Sequence, residues 1–109
     1  CVPTPMKKDG SCDISIVEGV VSELDEAYIK NKYWIDKIIA IKSTIPPGTI
    51  ESFEKKYKSL GIVFNPEFLT EANFIEDFKN QDRIIIGGPR PATSVMKMIY
   101  SKAFPNALP

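Results

Sequence analysis

The chain has 109 residues, enough for one domain with a modest core and too few for two. Its 14 basic and 14 acidic residues balance to zero net charge, which argues against a nucleic-acid or membrane-surface partner because such partners usually require a basic excess. No apolar run reaches the roughly 18 residues of a membrane helix, and no signal-peptide pattern is present, so a soluble, cytoplasmic protein is expected.

Cys1 and Cys12 are the only cysteines, and histidine is absent. Two thiols without CxxC spacing or histidine ligands cannot form an ordinary zinc site, so no metal is expected. A disulfide between them is possible, but reduced thiols are expected because nothing indicates secretion. Without histidine, any chemistry must come from carboxylates, lysines, hydroxyls or a bound cofactor.

The first predicted elements, in chain order, are a loop, a helix and a buried strand. The proline-rich start at 1–5 is typical of a strand end followed by a loop, so the chain is expected to begin inside a domain. Ser15–Glu18 has the S-x-x-E spacing of a capping box, and apolar residues recur with a helical period, which predicts a helix over about 14–31. Ile38–Ile41 is a continuous apolar run, which predicts a strand buried on both faces.

The same alternation continues through the rest of the chain. The next helix is predicted from its apolar stripe, which consists of Ile50, Phe53, Tyr57 and Leu60. Ile62–Phe64 and Ile84–Ile86 predict two further buried strands, separated by a short helix over 70–78. A last helix is predicted to start near Pro91, with Val95 and Ile99 facing inward. Alternating strands and helices predict a three-layer α/β fold whose mostly parallel sheet has three to four strands flanked by helices.

Open parallel sheets bind ligands beyond the carboxyl ends of their strands, where three loops of this chain are expected to lie: Val2–Pro5, Ser43–Gly48 and Asn65–Glu71. The second loop brings two hydroxyls, Ser43 and Thr44, to a helix N-terminus, which favours an anionic ligand. The alternative is that one of these hydroxyls only caps the helix.

The third loop carries two carboxylates four residues apart, Glu67 and Glu71. If the segment is helical they share one face, an arrangement typical of general acid/base pairs. A solvated acidic face is the alternative.

Taken together, these segments resemble the nucleotide-sugar dehydrogenase family, in its UDP-glucose and GDP-mannose branch. Val2–Pro5 resembles the family's V-x-T-P loop, Lys42–Thr49 its K-S-T-V-P-x-G-T segment, Asn65–Ala72 its N-P-E-F-L-x-E-G segment and Gln81–Gly88 its P-D-R-V-x-I-G-G segment. The four motifs occur in the family's order, and they depart from it at Ala72 and Gln81 without losing a functional group.

The resemblance implies NAD-dependent oxidation of a sugar alcohol to a carboxylate, by two hydride transfers and a thiol-linked intermediate that water hydrolyses. In that scheme Glu67 is the general acid/base of the hydrolysis, and Thr44 helps to hold the hydrolytic water. The implied NAD-contacting residues are Val2, Pro3, Thr4, Pro5, Ser43, Thr44 and Glu71, and the implied substrate-contacting residues are Glu67, Phe68, Leu69 and Glu71.

Other parts of the family pattern have no counterpart here. The six glycines cannot form the G-x-G-x-x-G turn, and neither cysteine matches the family's nucleophile. Residues 1–109 therefore resemble a single partial domain, the C-terminal half of an NAD-binding Rossmann-type domain, and the chain alone is expected to be inactive. The implied partners are the remainder of the polypeptide and a nucleotide sugar, with UDP-glucose favoured over GDP-mannose by the strand entry at Asp82–Ile84.

Two further expectations concern what the isolated chain does. Without the preceding strands, Ile38–Ile41 would be an exposed sheet edge, so self-association into a homo-oligomer is expected. The alternative to an enzyme fragment is a stand-alone, non-catalytic α/β binding module derived from the same family.

Overall fold

The computed structural model of the protein describes residues 2–31 and 37–107. Cys1, expected to be a reduced thiol, lies outside these residues, whereas Cys12 carries a free thiol. The elements in chain order are α1 (Ser15–Lys30), β1 (Ile38–Ile41), α2 (Thr49–Lys56), β2 (Gly61–Phe64), α3 (Phe74–Lys79) and α4 (Ala92–Ala103). The predicted α/β alternation is confirmed. None of the helices in the described parts of the chain is long and apolar enough to cross a membrane.

Strands β1 and β2 are parallel neighbours, paired from Ile38–Gly61 to Ile41–Phe64, and α2 makes the connection between them. The predicted sheet of three to four strands is wrong for the described residues, which form a sheet of two. The expected strand at 84–86 meets β2 only through an antiparallel bridge between Gly87 and Phe64. In this segment the Ile85 carbonyl accepts a hydrogen bond from the Asn65 side-chain amide at 2.9 Å instead of from a strand N–H.

The apolar core lies between α1, α2 and the sheet. Its buried members are Val17, Val21, Ile41, Ile50, Phe53, Tyr57, Leu60 and Ile62. The stripe predicted for the second helix is thus confirmed as core, although α2 itself ends at Lys56. Ala40 is exposed, so β1 is not buried on both faces as predicted, and its outer edge has no strand beside it within the described ranges.

Contacts with the loop before α1 and with α2 decide where α1 begins and how it packs. The capping box predicted at Ser15–Glu18 is wrong, because the Asp13 carboxylate accepts the Ser15 N–H at 2.9 Å and Glu18 faces α2. Glu18 forms an ion pair with Lys56 and accepts the Tyr57 hydroxyl at 3.2 Å. The Lys56 ammonium lowers the pKa of Glu18, and the carboxylate raises the pKa of Lys56 in return.

Helices α3 and α4 are more exposed than the sequence pattern predicts. Helix α3 begins at Phe74 instead of 70, because Thr70 is held in a loop by Asp77, and it has no buried residue. Helix α4 buries only Ala92, whose Cβ lies against the start of β2. Val95 and Ile99 are exposed instead of facing inward as predicted.

Candidate functional site

The candidate site is the rim formed by the carboxyl ends of β1 and β2. Because the strands are parallel and in register, the segments after Ile41 and after Phe64 leave the sheet at the same edge. A backbone bond from the Asn65 N–H to the Ile41 carbonyl, at 2.9 Å, extends the pairing one step beyond the strands. The loops that carry Ser43–Gly48 and Asn65–Glu71 therefore start side by side, as predicted.

The N-terminal loop reaches the same rim. The Ser43 hydroxyl donates a hydrogen bond to the Val2 carbonyl at 2.8 Å, and the Cys12 thiol lies 3.9 Å from the Thr44 carbonyl oxygen. These contacts join Val2–Pro5 to the loop after β1. The Ser43 hydroxyl is consequently engaged by the protein, and its contribution is to hold this loop in place.

The alternative that Ser43 or Thr44 caps the following helix is wrong. The residue before α2 is Gly48, which has a left-handed conformation with φ of 86° and offers no side chain. Instead, the buried Thr49 hydroxyl donates to the Pro46 carbonyl at 2.8 Å and closes the turn that leads into α2. Thr44 is exposed, and its side chain caps no helix.

Glu67 meets Lys42 across the rim. The Lys42 Nζ atom lies 3.1 Å from Glu67 Oε2, in an ion pair whose side chains are 27% and 33% exposed. The same ammonium lies 3.3 Å from the carbonyl oxygen and 3.3 Å from Oδ1 of Asn65. Sequence reasoning assigned no role to Lys42. The signal that could have found it is its position directly after β1, at the edge where ligands bind.

Asn65 is the polar centre of this arrangement and is 2% exposed. Its side-chain amide donates to the Ile85 carbonyl, and its Oδ1 accepts from Lys42 and from the Tyr100 hydroxyl. A buried amide must find its partners inside the protein, and these supply one acceptor for the NH2 group and two donors for Oδ1. The side chain thereby connects the loop after β1, the segment after Ile84 and α4.

The second carboxylate is placed differently from the first. Residues 65–70 are not helical, so Glu67 and Glu71 do not share a helix face. No hydrogen bond or ion pair joins Glu71 to the other candidate side chains in the described parts of the chain. Phe68 is 68% exposed and, with the half-buried Leu69, lines a cavity of about 380 Å³ that also contains Arg83.

The residues present fit a dinucleotide at this rim. The hydroxyls of Thr4 and Thr44 form no hydrogen bonds with the described residues, so both can bond to ribose or phosphate oxygens. A cleft of about 590 Å³, within the size range of small-molecule and cofactor sites, lies between Ile45–Gly48 and Gly87–Pro89; neither threonine lines it, whereas Glu51 and Glu54 do. Sequence reasoning missed this cleft because Gly87 approaches β2 only through a single bridge.

Comparison with known proteins identifies a family. Residues 1–104 match the sequence profile of the UDP-glucose/GDP-mannose dehydrogenase family, NAD binding domain. A UDP-glucose 6-dehydrogenase of Rickettsia conorii is 36% identical over 105 residues, which cover 92% of this chain and 23% of that protein.

Solved structures agree with this result. A UDP-glucose dehydrogenase from the hyperthermophilic archaeon Pyrobaculum islandicum superimposes with a TM-score of 0.80 at 30% identity, covering 100% of this chain and 26% of its own. A ternary complex of GDP-mannose dehydrogenase from Pseudomonas aeruginosa has a TM-score of 0.79 at 28% identity, covering 94% and 26%. The chain spans only about a tenth to a quarter of the length of the curated relatives it matches. On its sequence profile, its fold and its relatives, the chain belongs to the UDP-glucose/GDP-mannose dehydrogenase family and corresponds to the family's NAD-binding domain.

Proposed function

We propose that residues 1–109 are part of one Rossmann-type domain of a dehydrogenase that oxidises UDP-glucose to UDP-glucuronate with two NAD+. The observation that carries the proposal is the position of Glu67 at the carboxyl rim, 3.1 Å from Lys42 and on the same edge as Thr44. This edge is where parallel α/β sheets bind dinucleotides and substrates. The Rickettsia and Pyrobaculum relatives are named for UDP-glucose, which supports this sugar nucleotide over GDP-mannose.

In this proposal the described residues bind and orient rather than form covalent bonds. NAD+ supplies the hydride acceptor in each oxidation. Thr4 and the loop tied down by Ser43 would bind the dinucleotide, while Glu71, Phe68 and Leu69 would face cofactor and substrate. A fixed water and a carboxylate within hydrogen-bond reach of it are what hydrolysis of a thiol-linked intermediate needs. Thr44 would hold that water, and Glu67 would accept its proton.

The 109-residue chain should not turn over by itself. The six glycines cannot form the dinucleotide-binding turn G-x-G-x-x-G. The Cys12 thiol lies against the Thr44 carbonyl, in a loop that does not match the family's nucleophile segment. The remainder of the polypeptide would therefore supply the nucleophile and the glycine-rich turn, and the complete protein would be the enzyme.

The test is a dehydrogenase assay on the longer polypeptide that contains this segment, following NADH formation with UDP-glucose and, separately, with GDP-mannose. We expect turnover with UDP-glucose, and for Glu67→Gln a loss of about 10²- to 10⁴-fold, the usual contribution of a general acid/base. The matched control is Glu76→Gln, an exposed glutamate of α3 that should leave the rate unchanged. Binding of UDP-glucose without any turnover would instead favour the non-catalytic module.

A further inference from the structure

Lys42 has three oxygen partners, two of them on Asn65 and one on Glu67. An ammonium carries three donors. Two of them are donated to Asn65, to its carbonyl oxygen and to its Oδ1, each at 3.3 Å, while Nζ lies 3.1 Å from Glu67 Oε2 as an ion pair. The flexible lysine side chain is therefore fixed at its charged end by a residue that is itself buried.

The anchor for this ammonium is rigid. The Asn65 side chain is held by the Ile85 carbonyl at 2.9 Å and by the Tyr100 hydroxyl, and its backbone N–H by the Ile41 carbonyl. These bonds come from the sheet, from the segment after Ile84 and from α4. Lys42 thus links the buried Asn65 side chain to the Glu67 carboxylate, which lies on the more open loop.

Of the two Glu67 oxygens, only one is occupied. Oε2 faces Lys42, whereas Oε1 has no bond to any residue in the described ranges. A carboxylate with one oxygen held by a fixed cation has its second oxygen pointing in a defined direction. That free oxygen is the one available to a water molecule at the rim.

We propose that Lys42 is a positioning residue, which aims the free oxygen of Glu67 at the hydrolytic water. The inference rests on the proposed function and deepens it. In the hydrolysis, water adds to the thioester carbonyl carbon while Glu67 takes one of its protons. The carbon–sulfur bond then breaks, its electron pair leaves with the cysteine sulfur, and Glu67 returns the proton to that sulfur. No oxidant or reductant takes part in this step.

The experiment compares Lys42→Met and Lys42→Arg in the longer polypeptide. Lys42→Met keeps the aliphatic stem without the charge, so kcat should fall about 10- to 100-fold, the usual effect of misplacing a reacting group by about 1 Å. The KM for the nucleotide sugar should change less than about twofold, because Lys42 has no role in its binding. The thiol-linked intermediate should accumulate and be visible by intact mass spectrometry. Lys42→Arg, which can still contact both Asn65 and Glu67, should recover part of the rate.

The matched control is Lys79→Met, which removes the same charge from an exposed ion pair with Glu76 at 3.3 Å. Exposed pairs contribute little, so rate and intermediate level should stay at wild-type values. Unchanged kcat and no accumulated intermediate in Lys42→Met would overturn the inference. An inactive wild-type polypeptide would instead refute the proposed function.

A second readout tests the contact in the 109-residue chain itself, without turnover. The side-chain carboxyl ¹³C resonance of Glu67 should move towards that of a solvated glutamate in Lys42→Met and stay in place in Lys79→Met. A Glu67 resonance identical in wild type and Lys42→Met would show that Lys42 does not hold this carboxylate. That result would overturn the inference whatever the assay of the longer polypeptide gives.

Discussion

Replacing Asn65 by alanine removes the polar centre of the rim while leaving the backbone bond to Ile41 in place. The substitution deletes a donor to the Ile85 carbonyl and an acceptor for the Tyr100 hydroxyl and for Lys42. Each neutral hydrogen bond contributes about 1 kcal/mol, and a buried polar group left without a partner costs about 1–3 kcal/mol. We therefore expect Asn65→Ala to lower the free energy of unfolding by about 2–4 kcal/mol.

The assay is urea unfolding of the 109-residue chain followed by circular dichroism. With an m-value near 2 kcal/mol per M, the expected loss corresponds to a fall of roughly 1–2 M in the midpoint. Tyr100→Phe removes a single one of these bonds and should cost about 1 kcal/mol, which gives a milder variant on the same network. Asn73→Ala is the matched control, because Asn73 is exposed and its side chain makes no capping bond to α3.

The control should stay within about 0.5 kcal/mol of wild type, as surface substitutions usually do. A loss for Asn65→Ala that is no larger than the loss for Asn73→Ala would refute the reasoning. It would mean that the partners of Asn65 are equally well satisfied by water, and that the rim is not organised from the protein interior.

Three further predictions concern, in order, the glycine at position 88, the hydrogen bonds of the Asp77 carboxylate and the open edge of β1. Gly88→Ala should destabilise the chain by about 1–3 kcal/mol in urea unfolding, because Gly88 has φ of 144° and an added Cβ would lie 2.8 Å from the Ile62 carbonyl oxygen. Gly10→Ala is the control for backbone strain alone, since Gly10 has φ of 85° but open space around it; a loss for Gly88→Ala no larger than for Gly10→Ala would contradict the steric argument. The Thr70 bonds lower the pKa of Asp77, so the contact should be complete above the ordinary carboxyl pKa of about 3.9 and be lost only as the pH falls through the lower folded value. The Thr70 amide resonance should follow this titration in wild type and not in Asp77→Asn. A titration of this resonance at the ordinary pKa would be evidence against the contact. The open edge of β1 should make the isolated chain self-associate in light scattering, and Ala40→Lys should weaken that association; monomeric behaviour at all concentrations would contradict the idea.

Local patterns in the sequence predicted the elements whose partners are near in the chain. The β1 run is bounded as predicted, and the stripe that includes Phe53 and Leu60 is buried because α2 packs directly on the strands it connects. The loops after β1 and β2 could be placed together because parallel strands end at one edge.

What the sequence could not reveal depended on long-range polar contacts. The run at 84–86 has strand composition, but the Asn65 side chain binds its backbone in place of a neighbouring strand. Glu18 has capping-box spacing, but Lys56, from another helix, takes its carboxylate. The pairing of Lys42 with Glu67 likewise joins residues from separate loops, and no local spacing rule contains it.

The buried core has a consequence for the order in which this chain folds. Apart from Val17 and Val21, its members come from one continuous stretch that runs from Ile41 to Ile62. Closing a short loop costs little entropy, so this strand–helix–strand unit can collapse early and without help from distant segments. The rim is attached to the ends of that unit, so α3, which has no buried residue, can open locally while the base of the rim stays folded.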